Sequence, residues 1–342
     1  MLTPVKIGVI GLGRMGQLYT RLLATQIRGV RLHAVADVNE RARAQIANEV
    51  DVAHVFADPH ELIAFPELDA VIITTPTSTH AKLVVAAADA GKAIFCEKPL
   101  ALTLSDTWTA MEAVERAQVP LQVGFMRRFD AAYARAKTMI ESGQIGYPVT
   151  FKSVGRDPFC PDPHYADPAK SGGLILDMAI HDIDLARWLM GSEVERVSAE
   201  GTTLVCKMLE SVGDIDNAVI NLRFRSGALG NIEVSRNAFY GYDIRTEVLG
   251  SEGAVLIGVH QHTPVLLLTR AGAQYDITPY LMERFGDAYR TQIQHFIDCL
   301  LQGRPPLVGG SDALAAYEIG VAATRSYQSG RSVALSEIER KV

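Results

Sequence analysis

Apolar residues in the first third of the chain fall in short runs separated by glycine-, proline- and hydroxyl-rich turns. Val5 to Ile10, Leu32 to Ala36, a short segment near Val55, Ala70 to Thr74, Ala93 to Cys96 and Leu121 to Val123 are compact and strongly apolar. Such runs mark strands buried on both faces of a parallel sheet. Between them, helical periodicity is expected from Gln17 to Thr25, Glu40 to Asn48, His60 to Phe65, Ala81 to Ala90 and Leu104 to Ala117. The alternation of strand and helix predicts a doubly wound α/β domain.

The pattern changes at Gly124-Phe125-Met126-Arg127-Arg128-Phe129-Asp130, where a domain boundary is expected. A helix from about Ala131 to Ser142 is followed by alternating strands at Val149 to Val154, Val194 to Leu204, Asn217 to Phe224, Leu229 to Ser235, Ile244 to Leu249, Ala254 to Ile257 and Val265 to Thr269. Two late helices, Ala288 to Leu301 and Ser311 to Gln328, complete the chain. The fold class expected is α/β, with an N-terminal Rossmann-type parallel sheet over residues 1–123. An α+β domain follows over 124–342, with one large, open, mainly antiparallel sheet. An open sheet of that size needs a cover on its outer face, so a second copy of the chain is expected there.

Between the first two late strands, the stretch from Gly172 to Leu189 reads as one helix that is apolar nearly all round and therefore buried. At about 100° per residue, Asp177, His181 and Asp184 fall on one narrow stripe. Ionisable groups inside such a helix cost free energy unless they serve a cavity or pair with something. A satisfied Asp–His pair is the plainer alternative.

The first strand runs into Gly11-Leu12-Gly13-Arg14-Met15-Gly16 and then a helix. In this context Gly11 allows the tight turn, Gly13 lets a pyrophosphate approach the backbone, and Gly16 lets helix and strand pack closely. The helix start offers oriented N–H groups to phosphate. Asp37 ends the second strand, 21 residues after Gly16. A carboxylate there accepts hydrogen bonds from a ribose 2′-hydroxyl and repels a 2′-phosphate, which favours NAD over NADP. Arg41 and Arg43 are expected to be solvated or paired on the following helix. The hydroxyl-rich loop Thr75-Pro76-Thr77-Ser78-Thr79-His80 follows the next strand and can line the nicotinamide ribose, or Ser78 or Thr79 can simply cap a helix. Glu97-Lys98-Pro99 places a long cation at the carboxyl end of a strand, where open parallel sheets bind ligands; the alternative is an ordinary surface lysine.

Composition narrows the chemistry. A net charge of −6 without Lys/Arg runs argues against nucleic acid or an anionic membrane as partner. No stretch reaches about 18 uninterrupted apolar residues, and no cleavage-site pattern follows the first apolar run, so a cytoplasmic location is expected. Cys96, Cys160, Cys206 and Cys299 are scattered without a Cys-x-x-Cys pair; neither a disulfide framework nor zinc-finger spacing is expected, and a reducing compartment fits. His181-Asp182-x-Asp184 and His260-Gln261-His262 lack a convincing ligand set, so no metal is called for. Tyr133-x-x-x-Lys137 spells a short-chain dehydrogenase pair, but the glycine spacing is wrong for that class and the pair reads as a decoy.

For a substrate with a secondary alcohol and NAD as oxidant, His181 is the natural general base, since histidine titrates nearest neutral pH. Asp177 can hold the imidazole or a neighbouring hydroxyl, and Lys98 can stabilise the developing alkoxide.

With its glycine motif, Glu97-Lys98-Pro99 and the Gly172 to Leu189 segment, the chain resembles the glucose–fructose oxidoreductase / inositol dehydrogenase / rhizopine catabolism (Gfo/Idh/MocA) family along essentially its whole length. Val123-Gly124-Phe125-Met126-Arg127-Arg128-Phe129-Asp130 and Tyr240-Gly241-Tyr242-Asp243-Ile244 are similar to segments of its inositol 2-dehydrogenases. The resemblance implies a Lys98/Asp177/His181 catalytic set. It implies NAD contacts from Gly11, Gly13, Arg14, Met15, Asp37, Thr75, Pro76, Thr77, His80, Glu97 and Lys98. Substrate contacts are implied for Lys98, Met126, Arg127, Asp157, Asp177, His181 and Tyr242, although those enzymes carry Asn where this chain has Asp157. A dimer or tetramer built through the C-terminal sheet is also implied. The function expected is NAD-dependent oxidation of a ring hydroxyl of a cyclic polyol, myo-inositol first. A scyllo-inositol or aldose 1-dehydrogenase is the alternative among enzymes, and a sugar- or NAD-responsive regulator the alternative outside them.

Overall fold

The computed structural model describes residues 3–338; the outermost ends of the two expected domains, 1–2 and 339–342, lie outside it. Two compact units are present: one contains the described residues up to Met126 together with Tyr289–Leu314, the other Arg127–Ala288 and the described residues from Ala315.

In the first unit, β1 (Val5–Ile10), α1 (Arg14–Thr25), β2 (Val30–Ala36), α2 (Glu40–Glu49), β3 (His54–Phe56), α3 (Pro59–Ala64), β4 (Ala70–Ile73), α4 (Thr77–Asp89), β5 (Ala93–Cys96), α5 (Leu104–Ala117) and β6 (Leu121–Val123) alternate along the chain. The strands form one parallel sheet in the order β3-β2-β1-β4-β5-β6. This is the order of a dinucleotide-binding Rossmann sheet. β4 and β5 are buried at every position, as expected of central strands covered on both faces.

The second unit contains α6 (Ala131–Glu141), β7 (Pro148–Arg156), two single-turn helices, α7 (Pro163–Ala166) and α8 (Pro168–Ser171), and then a π-helical turn at Ile175–Ala179 that runs straight into α9 (Ile180–Met190). β8 (Val194–Thr202), β9 (Asn217–Phe224), β10 (Leu229–Ser235), β11 (Asp243–Gly250) and β12 (Ala254–Ile257) build the sheet, followed by a hairpin of β13 (Leu267–Thr269) and β14 (Gly272–Gln274). Two long helices, α10 (Leu281–Gln302) and α11 (Gly310–Ser329), close the chain with β15 (Val333–Ala334). The large sheet has the order β12-β11-β7-β10-β9-β8-β15 and is antiparallel except where β10 pairs with β7. β9 alternates buried and exposed along its length, so one face lies in the core and the other outside. Val219, Leu229, Leu249 and Leu256 are exposed.

Four expectations need correction. The stretch from Gly172 to Leu189 is not one regular α-helix, because i→i+5 bonding in the π-turn changes the angular step per residue. The turn shifts Asp177 off the stripe that His181 and Asp184 keep within α9, and Asp184 is buried and held by Arg128 through two bonds of 2.8 and 2.5 Å. The Val265 to Thr269 segment leaves the large sheet and pairs with β14 instead, while the unanticipated β15 takes an edge. Finally, Cys160 and Cys206 form a disulfide across 46 residues. The turn that presents Cys206 is organised by Asp216, which accepts the N–H groups of Val205 and Cys206 at 2.6 and 2.7 Å. Against the upward push of burial, these main-chain donors hold the Asp216 carboxyl below its usual range.

Candidate active site

The glycine loop has the shape its sequence implies. Gly11 has φ +90°, and a Cβ there would meet the backbone of Thr74 and Thr75 at 2.8–2.9 Å. At Gly16 a Cβ would lie 1.7 Å from the Gly11 carbonyl, so α1 packs against the loop only because that atom is missing. Gly13, by contrast, has nothing within 4 Å of a built Cβ and caps α1 without a side-chain partner. Open space therefore lies in front of the helix's first N–H groups, which is what a pyrophosphate needs.

Asp37, half-buried at the end of β2, braces this loop: Oδ2 accepts the Leu12 N–H at 2.5 Å and Oδ1 the Asn39 N–H at 2.7 Å. A carboxylate offers about four acceptor positions, so lone pairs remain for a ribose. Arg43 is paired, its Nη1 donating to the Asp37 carbonyl at 2.6 Å. Thr74 ties β4 to the loop by donating to the Gly11 carbonyl at 2.7 Å. Beyond it, α4 begins at Thr77 with Pro76 at its cap, so neither Ser78 nor Thr79 caps the helix. Thr79 Oγ1 lies 2.7 Å from Thr75 Oγ1 and 2.8 Å from the Pro76 carbonyl. His80 is buried with Nδ1 at 2.8 Å from the Pro99 carbonyl and Nε2 at 2.8 Å from the Thr75 carbonyl. It lies between two loops at the carboxyl ends of β4 and β5, with a carbonyl facing each nitrogen. Burial holds its pKa below the ordinary histidine value, against the pull of the two carbonyls.

Glu97 and Lys98 follow β5. Glu97 is a half-buried carboxyl pushed up by desolvation, with the Tyr19 hydroxyl donating to Oε1 and the Lys98 N–H to Oε2 at 3.2 Å. Gln292 Nε2 donates to the Tyr19 oxygen at 2.6 Å. This chain of bonds anchors the backbone from which the half-buried Lys98 extends. Tyr19 and Gln292 were not anticipated. Tyr19 lies three residues after Gly16 on the packed face of α1, the one signal that could have singled it out.

In the second unit, the π-turn carries Asp177 and the next helix His181, both half-buried. Asp177 Oδ2 receives the Tyr165 hydroxyl at 3.2 Å and lies 3.6 Å from Arg236 Nη2. Arg236 is itself buried, and its Nη1 donates to Asp214 Oδ2 at 2.6 Å. Asp214 Oδ1 in turn accepts the Leu174 N–H at 2.9 Å, at the entrance to the π-turn. Tyr165, Arg236 and Asp214 carry no local sequence signal, since each comes from a different segment.

Other candidates are placed more structurally. Arg127 is 2% exposed, donates to Asp182 at 2.7 Å and lies 5.7 Å from the Phe285 ring centroid. Met126 is buried. Tyr242 is buried edge-on to Tyr280 and Phe285, with centroids 5.5 and 6.2 Å away. Asp157 is half-buried, and its main chain bonds to Ser235 and Ala238 at 2.9 Å each. Asp182 and Asp184 are engaged by arginines, and His260 lies 3.2 Å from Asp243. Tyr133 is fully buried on Thr246, and Lys137 caps the Trp188 carbonyl at 2.5 Å, so neither is arranged as a dehydrogenase pair.

Residues 5–125 match the model of an oxidoreductase family's NAD-binding Rossmann fold, and residues 137–335 that of the family's C-terminal alpha/beta domain. The scyllo-inositol 2-dehydrogenase (NAD(+)) of Bacillus subtilis is 43% identical over 97% of this chain and 96% of its own. The myo-inositol 2-dehydrogenase of Thermotoga maritima is 42% identical over 98% and 99%. A crystal structure of scyllo-inositol dehydrogenase from Lactobacillus casei, with bound NAD(H) and scyllo-inositol, superposes with a TM-score of 0.93 at 29% identity, covering 97% of this chain and 99% of that one.

Proposed function

Because the chain belongs to the Gfo/Idh/MocA oxidoreductase family and carries its NAD-binding Rossmann domain, we propose that it oxidises one ring hydroxyl of an inositol to a ketone, with myo-inositol as first substrate. The observation that carries this reading is the presence of Lys98 after β5, Asp177 in the π-turn and His181 in α9, in a chain over 40% identical to two inositol 2-dehydrogenases. NAD, when bound, supplies the hydride acceptor; Gly11, Gly13 and the start of α1 are shaped for its pyrophosphate and Asp37 for its ribose.

The chain's own groups do the rest. His181 takes the hydroxyl proton as the general base. Asp177, whose carboxylate lies 3.6 Å from the Arg236 guanidinium, favours the imidazolium or orients an adjoining hydroxyl. Lys98 donates to the reacting oxygen and stabilises negative charge as it develops. Tyr242, Arg127, Met126 and Asp157 complete the substrate set in this reading. A second reading, scyllo-inositol as preferred substrate, is favoured by the Bacillus subtilis relative.

Initial-rate formation of NADH with myo-, scyllo- and chiro-inositol, glucose, galactose and xylose, in the presence of NAD or NADP, tests this. Preferential turnover of an inositol with NAD is expected. No turnover of any of them, with NAD binding intact, moves the weight to a substrate outside this set or to a regulatory binder.

We further propose that copies of the chain associate through the outer face of the seven-stranded sheet, where Val219, Leu229, Leu249 and Leu256 are exposed. Light scattering of the purified protein distinguishes monomer from dimer or tetramer. Among the described residues no helix is long and apolar enough to cross a membrane. The cytoplasm is the compartment we propose, and thiol counting on freshly isolated protein tests whether Cys160 and Cys206 are joined there.

A further inference from the structure

At the amino ends of the parallel strands, the opposite end of the sheet from the glycine loop, three side chains of the first unit converge. His33 comes from β2, His54 opens β3, and Glu67 lies in the loop before β4. One donor atom from each lies within 4.8 Å of the others. His33 is 4% exposed, and neither of its ring nitrogens makes a hydrogen bond. Its Nε2 stands 3.2 Å from Glu67 Oε2 without hydrogen-bond geometry. The His54 ring packs edge-on at 5.1 Å and Phe65 stacks at 5.9 Å. A buried imidazole whose Nδ1 has no hydrogen-bond partner and whose Nε2 has only the Glu67 contact costs free energy unless something occupies one of them.

We propose that His33, His54 and Glu67 form a binding site for a borderline divalent transition-metal ion, Zn2+ being the best match. Imidazole and carboxylate are the donors such ions take, and two His with one carboxylate leave a fourth tetrahedral position for water. With metal–ligand bonds of about 2.0–2.2 Å, tetrahedral ligands stand roughly 3.3–3.5 Å apart. The 3.2 Å separation of His33 Nε2 and Glu67 Oε2 is already close to that spacing. Closing the third corner falls to half-buried His54 and to Glu67, whose side chain is 50% exposed and can move. The competitor is Lys6, whose ammonium lies 2.9 Å from the same Glu67 oxygen. An ion would displace it and pin the edge strand β3 to the neighbouring loop. This site takes no part in the proposed oxidation and does not depend on it.

Calorimetric titration of Zn2+ into the metal-free full-length protein tests the site, alongside His54→Ala, Glu67→Gln and Lys6→Gln, with folding checked by circular dichroism. One equivalent is expected to bind. Affinity falls at least about tenfold in His54→Ala and in Glu67→Gln, and rises in Lys6→Gln. Co2+ added to the wild type gives the visible absorption of a four-coordinate ion, and that band is lost in His54→Ala. No binding by the wild type, or binding unchanged by both ligand substitutions, overturns the proposal. Glu67 is half exposed, so Glu67→Gln leaves the packing of the His33, His54 and Phe65 rings untouched and keeps the comparison interpretable.

Discussion

Arg236 reaches two carboxylates at once: Nη1 donates to Asp214 Oδ2 at 2.6 Å, and Nη2 stands 3.6 Å from Asp177 Oδ2. Only the first contact is a hydrogen bond. The second is a charge held in the right place, and it falls on the residue assigned to steer the base. Arg236→Gln strands Asp214, whose carboxyl is already pushed up by burial against the pull of Arg236. The expected loss is about 3–5 kcal/mol of stability, measured by urea unfolding. The double variant Arg236→Gln/Asp214→Asn recovers part of it, since no charge is then left buried alone. A single variant as stable as the wild type would remove this account of the pair.

Tyr19→Phe deletes the hydroxyl between Glu97 and Gln292 and leaves half-buried Glu97 and buried Gln292 each short of one bond. A cost of about 1–3 kcal/mol is expected for such an orphaned group, read as a lowered urea midpoint at unchanged slope.

Asp37→Ala removes the proposed ribose acceptor and, at the same time, the brace on the Leu12 N–H. Charged hydrogen bonds of this kind contribute about 1.5–3 kcal/mol, so the KM for NAD rises roughly tenfold to a hundredfold with a smaller change in kcat. NADP discrimination relaxes together with it. A KM for NAD within twofold of the wild type would exclude the ribose role.

His181→Ala loses turnover by about 10²–10⁴-fold while NAD still binds, followed by quenching of protein fluorescence. Near-full activity across pH in this variant would show that another group takes the proton.

Acidification bears on His80. Its folded pKa lies below the unfolded value of about 6.5, so between the two the unfolded chain binds more protons. The contribution of neutral His80 to stability is therefore present above about pH 6.5 and lost as pH falls through the lower folded value. His80→Gln has no such term. The stability difference between wild type and His80→Gln shrinks on acidification, and a difference constant from pH 7.5 to 5 would refute the assignment.

The first unit was legible because its signals are local. A β-branched run, three glycines, a helix and an acid twenty-odd residues on occupy adjacent positions, and Leu104–Ala117 has the very bounds its periodicity implies. The strands of the second unit were equally readable where one face is buried, as at Asn217–Phe224 and Leu229–Ser235. What escaped depends on distance or on backbone geometry without a residue-type marker. Cys160 and Cys206 come together only because the chain folds back over 46 residues. Arg236, Asp214 and Asp177 meet from three segments. β15 is two residues long, and its pairing with β8 is decided by the neighbour rather than by Val333 and Ala334 themselves. The charged residues of α9 misled for a related reason: periodicity places Asp184 on a face but does not reveal that Arg128 waits there.

The π-turn at Ile175–Ala179 has an evolutionary reading. A wide turn of this kind is an ordinary helix with one residue too many, and each residue carries about 100° of rotation. The helix before it and the helix after it can thus be turned against each other by a single insertion or deletion. The aspartate within the turn and the histidine beyond it are set by separate dials: Leu174 and Asp214 fasten one, while the buried arginine–aspartate pairs of α9 fasten the other. A lineage that needed a differently shaped polyol could re-aim one of these groups by a one-residue change in length, leaving every strand of the sheet beneath it untouched.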